Sequence, residues 1–266
     1  MTPTRDSAVR IVVVHPDLLG TYGDGGNGVI LARRLQWRGM AAELVEAPSG
    51  APVPAGGDVY CLGGGEDGPE ARSAAELAPG NPLGRAVESG AAVLAVCAGF
   101  QVIGTSFPGA GGTEHAGIGL IDVRSRKGSG RRAVGELVTR PDPGSGLPEL
   151  TGYENHGAVT ELGPGVSPLA RVVSGVGNGT DDRAEGARSG RVFCTYMHGP
   201  VLARNPALAD AVLESVVGPL PPIDDAEAEA LRAERLAAAG RARVRGRPLR
   251  PLKNAFGRAS KNFRLS

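Results

Sequence analysis

The chain has 266 residues, 41% hydrophobic and 21% charged, a balance that excludes both an intrinsically disordered polymer and a membrane-embedded one. It contains no run of about 18 apolar residues, so no spanning helix is expected, and only four apolar residues, Ile11 to Val14, follow its polar start, too few for a secretory signal. A cytoplasmic protein is therefore expected, with a formal charge of +1 that conceals nine Lys/Arg and no acid over 240–266, leaving about −8 on residues 1–239.

In chain order, Val9 to Val14 is a β-branched run stopped by His15-Pro16, which predicts a first buried strand. Val29, Ile30, Leu31, Leu35 and Trp37 recur at near-helical spacing before Gly39, predicting a helix over 26–39. Short apolar runs at Ala42 to Glu46, Val59 to Leu62 and Ala91 to Val96, each ending in a Gly- or Pro-bearing turn, predict further strands. Helices are expected at Ala71 to Leu77 and Leu83 to Glu88. This alternation predicts an α/β fold: a doubly wound, mostly parallel sheet flanked by helices. Beyond Gly104, Ile118 to Val123, Ala133 to Leu137, Val159 to Glu161 and Val192 to Tyr196 lie between Gly/Pro turns and predict added antiparallel strands. A helix over 206–217 and the Pro-rich segment 218–223 close a main domain, 1–222. A helix over 224–239 and a disordered basic tail are expected to form a C-terminal extension, 223–266.

Cysteines at 61, 97 and 194 are odd in number and lack C-x-x-C spacing, so neither a disulfide framework nor a metal site is expected. Cys97 stands apart because the apolar run Ala91 to Val96 leads straight into it and a small-residue turn, Ala98-Gly99, follows. A sharp strand-to-helix turn of that kind lifts a nucleophile above the strand ends. The helix N-terminus is expected to lower the thiol pKa, and the Ala98 N–H to face a developing oxyanion. A buried core cysteine is the plain alternative.

A cysteine nucleophile needs a base, and the histidines are four: 15, 115, 156 and 198. His198 ends the run Val192 to Met197, at a strand end where α/β enzymes place their sites. His156 follows Glu154-Asn155 in a segment that reads as a turn, and ranks second. Structural roles are expected for His15 and His115. Gly63-Gly64-Gly65-Glu66-Asp67 follows another strand and could present backbone N–H groups, or could be glycine-rich for steric reasons alone.

Gly23-Asp24-Gly25-Gly26-Asn27-Gly28 matches G-x-G-x-x-G, but Pro16 to Tyr22 separates it from the strand, which argues against a dinucleotide site. No P-loop motif occurs, so no ATP site of that type is expected. The basic tail could attract nucleic acid or anionic lipid, but it contains only Phe256 and Phe263 as aromatics, and a solvated extension with no nucleic-acid partner is the preferred reading.

Cys97-Ala98-Gly99-Phe100-Gln101 with a strand-end His198 far downstream resembles the class I (triad) glutamine amidotransferases. Within them the chain is similar to the cobyric acid synthase-like group, in particular the GatD-type subunits of MurT/GatD lipid II isoglutaminyl synthases. The stretches that carry the narrower likeness are Pro16 to Asn27, Gly63 to Asp67, Gly152 to Gly157 and Thr195 to Pro206. The resemblance implies hydrolysis of L-glutamine, with Cys97 as nucleophile and His198 relaying the proton. Gly64 or Gly65 and Ala98 would supply oxyanion N–H groups, while Gln101 and Arg132 would contact the substrate, with Arg131 adjoining the latter. It also implies a MurT-like Mur ligase partner that holds ATP and magnesium and amidates the D-glutamate α-carboxyl of lipid II. This chain itself would need no cofactor, and would meet the inner membrane face only through lipid II.

Two positions depart from the wider class. Ala95 stands where a glycine is usual, and Pro200 where the acid that orients the histidine is usual. The expectation for the missing acid is that the partner ligase contributes it across the interface. Glu66 also replaces a common glutamine. Rival readings are an amidase component of a corrinoid amidation system, a catalytically silent binding protein on the same fold, and a DJ-1/PfpI-like cysteine protein.

Overall fold

A computed structural model describes residues 7–244, with side chains described through residue 240. The elements of its first half are β1 (Val9–Val14), α1 (Gly26–Trp37), β2 (Ala42–Ala47), β3 (Val59–Leu62), α2 (Asp67–Leu77), α3 (Pro82–Glu88), β4 (Ala92–Val96) and α4 (Ala98–Val102). There follow β5 (Ser106–Pro108), β6 (Glu114–Ala116), β7 (Val123–Lys127), β8 (Ala133–Arg140), β9 (Leu150–His156), β10 (Ala158–Leu162), β11 (Ala170–Ser174), β12 (Ala184–Glu185), β13 (Ala187–Ser189) and β14 (Val192–Thr195). The chain then forms α5 (Val201–Arg204), α6 (Pro206–Val217) and α7 (Ala226–Val244).

The central sheet has six strands in the order β13-β14-β4-β3-β1-β2. All neighbours pair in parallel except β13 with β14. β1, β3, β4 and β14 are buried along nearly their whole lengths, as strands covered on both faces must be, which is why they read as predominantly apolar runs. Two four-stranded sheets, β10-β7-β5-β6 and β12-β11-β8-β9, are built from the second half. The α/β class, the parallel core and the added antiparallel strands match the expected architecture.

Differences lie where apolar residues serve loops. Ile118 to Ile121, expected to begin a strand, instead hydrogen-bond through their backbone to Val102, Gly104 and Ile103, packing a loop over the end of α4, and the strand begins at Val123. Tyr153 to Gly157, expected as turn-like, instead falls largely within β9, which pairs antiparallel with β8 from Ala133↔His156 to Thr139↔Leu150. Its alternating exposure was disguised in the sequence because Thr151, Glu154 and His156 are buried polar residues.

The expected extension begins with α7, which packs against the body. Buried Arg34 of α1 reaches both Asp210 of α6 and Asp225 at 2.7 Å, and Arg232 of α7 donates to the Glu149 carbonyl at 2.9 Å. Beyond residue 244 the expected disordered tail lies outside the described residues. Among the described residues no helix is long and apolar enough to cross a membrane.

Candidate active site

β4 and β14 are neighbouring parallel strands with Val96 beside Thr195, and the Cys97 N–H donates to the Thr195 carbonyl at 2.9 Å. Cys97 and His198 therefore emerge from the same end of the sheet. The turn at Cys97 forces φ to +52° and ψ to −105°, a left-handed conformation that a non-glycine residue holds only when its surroundings impose it. Here Gly99 provides that restraint. Its N–H donates to the Gly63 carbonyl at 3.0 Å, and a Cβ on it would come within 2.7 Å of the Leu62 Cβ, so α4 starts tight against β3.

His198 is held from three directions. Its backbone makes a two-way bridge with Tyr153 of β9, the His198 N–H donating at 2.7 Å and its carbonyl accepting at 3.2 Å. Its ring lies 4.5 Å from that of Tyr22. Its Nδ1 is 2.8 Å from Oδ2 of Asp24, a carboxylate that is itself buried. Nε2 is buried and has no hydrogen-bond partner among the described residues. With Nδ1–H committed to the carboxylate, Nε2 keeps its lone pair, the tautomer a general base requires.

Asp24 overturns the expectation that the orienting acid comes from another subunit. It lies in the Gly23 to Gly28 segment between β1 and α1, far from the position after the histidine where relatives of the wider class place an acid. The sequence hint was a charged residue inside a glycine-rich turn. What makes it an acid for His198 is purely spatial, because β1 and β14 lie on opposite sides of the β3-β4 pair and their following loops converge.

Gly64 needs a correction as well. Its N–H donates to Asp24 Oδ2 at 2.9 Å and so is not free for an oxyanion. A Cβ there would lie 2.5 Å from His198 Cε1 and 3.2 Å from Asp24 Oδ2, so this glycine makes the room the imidazole occupies. Gly65 and Ala98 remain as oxyanion candidates. Gly65 borders the cavity, and the Ala98 N–H points at the Cys97 sulfur.

The cavity, of about 270 Å³, is bordered by Cys97, Gln101, Glu70, Lys127, Arg132 and His156 among others. Gln101 sits one turn into α4, its N–H on the Cys97 carbonyl. Of the two adjacent arginines, Arg132 is the one on the cavity. It donates to Asn155 Oδ1 at 2.6 Å and to the Asn155 carbonyl at 3.0 Å, and Asn155 in turn donates to the Tyr22 hydroxyl at 3.0 Å. This chain of contacts links the cavity rim to the ring packed on His198. Glu66 and Asn155, neither assigned a role from sequence, border the cavity, and Tyr22 behind them donates to Glu66 at 3.3 Å.

The thiol does not behave as its place before a helix suggests. Burial pushes the Cys97 pKa well up, with Glu70 and Asp24 adding to the rise, while the Ala98 N–H and Arg132 pull only weakly the other way. The helix has five residues, too short for a large terminal field. The resting side chain is thus a neutral thiol, and its ionisation has to be coupled to proton uptake by a base.

The other histidines take local roles. His15 Nδ1 meets the Ser73 hydroxyl at 2.9 Å, and burial lowers its pKa. His115 stacks on Phe107 at 5.5 Å. His156 stacks on Tyr196 at 3.9 Å with Nδ1 on the Ala158 carbonyl, forming a wall of the cavity. Cys61 and Cys194 are buried in the sheet, the former pushed up to about 12 by desolvation. Among the described residues no cluster suited to a metal ion occurs.

The family model for the CobB/CobQ-like glutamine amidotransferase domain matches residues 10–206. The GatD subunit of the glutamine-hydrolyzing lipid II isoglutaminyl synthase of Staphylococcus aureus is 32% identical over 200 residues, covering 74% of this chain and 80% of that protein. The GatD subunit of Streptococcus pneumoniae is 29% identical over 204 residues, covering 76% and 77%. A probable cobyric acid synthase of Methanoculleus marisnigri is 36% identical over 143 residues, 50% of this chain but 26% of that protein. A solved glutamine amidotransferase superposes with a TM-score of 0.52 at 23% identity over 77% of this chain and 98% of the other, a likeness of fold.

Proposed function

The chain belongs to the CobB/CobQ-like glutamine amidotransferase family, and on that premise we propose that it is the glutamine-hydrolysing subunit of a lipid II isoglutaminyl synthase. It would release ammonia for a separate MurT-like Mur ligase that amidates the D-glutamate α-carboxyl of the stem peptide. The substrate class is supported by the names of the two GatD relatives, and the ligase by the family resemblance. ATP and magnesium belong to that ligase in this reading. The work would take place in the cytoplasm, at the inner membrane face where lipid II is presented.

The observation that carries the chemistry is the buried Asp24–His198 pair, with Nε2 left unpartnered at the strand end beside Cys97. In the proposed cycle His198 Nε2 takes the thiol proton as sulfur attacks the glutamine side-chain carbonyl carbon. The oxyanion receives the N–H groups of Gly65 and Ala98. The imidazolium, stabilised by Asp24, returns its proton to the amide nitrogen, and the C–N bond breaks to release ammonia and leave a γ-glutamyl thioester. Water, deprotonated by His198, then hydrolyses the thioester to glutamate. Gln101 and Arg132 are assigned to hold the substrate.

The test is to express the chain with a Mur-type ligase and follow glutamate formation and amidation of lipid II. Both should depend on Cys97, so Cys97→Ser should abolish glutamate release while leaving amidation by added ammonium intact. If amidation with glutamine survives that substitution, the assignment fails. The cobyric acid synthase similarity supports a second reading, amidation of a corrinoid carboxylate. Ammonia transfer to that acceptor and not to lipid II would favour it.

A further inference from the structure

Glu70 is the one carboxyl on the cavity wall that is buried with no hydrogen-bond partner for Oε1 among the described residues. It sits on the first turn of α2, 4% exposed, and shares the cavity lining with cationic Lys127 and Arg132. An unpaired buried carboxyl costs stability, and a purely structural position would be filled more cheaply by leucine or methionine. Proteins keep such groups where a ligand completes them.

We propose that Glu70 is a substrate-recognition residue, its buried, unpartnered carboxyl on the cavity wall pairing with the side-chain carboxamide of glutamine beside Cys97. This rests on the glutaminase reading above. A neutral carboxyl offers one O–H donor and one carbonyl acceptor. A carboxamide offers the complementary acceptor and donors, whereas the product's carboxylate offers acceptors only and brings a negative charge into a site already containing Asp24. The same group would therefore favour glutamine over glutamate and assist release of the product.

The groups facing Glu70 carry both signs of charge. Asp67 lies on its own helix and Glu66 just before it. Cys97 faces it from the β4-α4 turn, His156 from β9, and Lys127 and Arg132 from β7 and the start of β8. Burial dominates and Asp67 adds to it, raising the Glu70 pKa to about 9. Neutrality also matters to the nucleophile, because an ionised Glu70 opposes formation of the Cys97 thiolate. Above the Glu70 pKa, glutaminase activity should fall for that reason.

Glu70→Gln and Glu70→Leu, assayed in the full chain with its ligase, test this. Glu70→Gln keeps a neutral donor and acceptor and should lose the alkaline decline that begins near pH 9. Glu70→Leu should raise KM for glutamine about tenfold, change glutamate inhibition much less, and leave the thermal midpoint equal or higher. Wild-type kcat/KM for glutamine in Glu70→Leu, or an alkaline limb unchanged in Glu70→Gln, overturns the proposal. Failure of the wild-type protein to release glutamate overturns instead the reading on which it rests. Should Glu70→Leu not fold, the pH profile of Glu70→Gln decides.

Discussion

Asp24→Asn isolates the orienting carboxylate with little disturbance elsewhere. The asparagine has only one group to place where Oδ2 now takes both the Gly64 N–H at 2.9 Å and His198 Nδ1 at 2.8 Å. With its oxygen there both bonds survive, but the imidazolium formed in the reaction loses its counter-charge; with its nitrogen there donor confronts donor, and the ring is driven to carry its proton on Nε2, where it cannot accept one from Cys97. Either loss costs about 3–5 kcal/mol, which is a fall in kcat of about 10²–10⁴. A serine triad with the same change loses about 10⁴ for the same reason. Because Asp24 does not border the cavity, KM for glutamine should hold within about twofold. Steady-state glutamate release supplies both constants, and nitrogen NMR of the imidazole reports the tautomer directly. A kcat within about threefold of wild type would refute the role given to Asp24.

Gly64→Ala should reduce kcat at least about 100-fold, because a methyl placed 2.5 Å from His198 Cε1 must displace the ring, and misplacement of that size has such a cost. Circular dichroism of the purified variant should remain native, separating the effect from unfolding. Arg34→Ala strands Asp210 and Asp225, and since both are partly exposed the loss should be about 2–3 kcal/mol, below the range for fully buried pairs. Urea denaturation gives the size of the loss, and faster proteolysis within 224–240 would locate it at the α7 junction. The pH dependence of stability has a definite sign. Glu70, raised to about 9, and Glu185, raised to about 7 by burial, keep protons in the folded state that the unfolded chain releases near pH 4.5. The unfolded state thus binds fewer protons in that window, so stability falls as pH rises from about 4.5 toward 9, by up to about 1.4 kcal/mol per unit per group. Glu70→Gln should flatten that slope, and an identical slope in the variant would contradict the assignment.

Much of the site was legible because its members end strands. Cys97 and His198 each follow a short apolar run, and a run buried on both faces has little choice but to be an inner strand of a parallel sheet, whose carboxyl end is open to ligand. Arg132 and Gln101 followed from the resemblance. Asp24 escaped because a charged residue in a glycine-rich turn does not by itself name a partner, and its own lies 174 positions away. Glu70 escaped because an acid in the first turn of a helix is ordinary, and only its burial makes it unusual. The strand β9 was missed because its inward positions carry Glu154 and His156, which a hydrophobic pattern cannot register.

The order of apolar runs and glycine turns by itself determined the α/β class, the elbow at Cys97 and the strand-end histidine, since these depend on interactions within a few residues. Only the tertiary structure decided which carboxylate holds the imidazole, which glycine N–H is already spent, and whether the thiol rests protonated. Each of these is set by burial and by groups brought together across the sheet, and neither desolvation nor a through-space hydrogen bond leaves a local imprint on the chain.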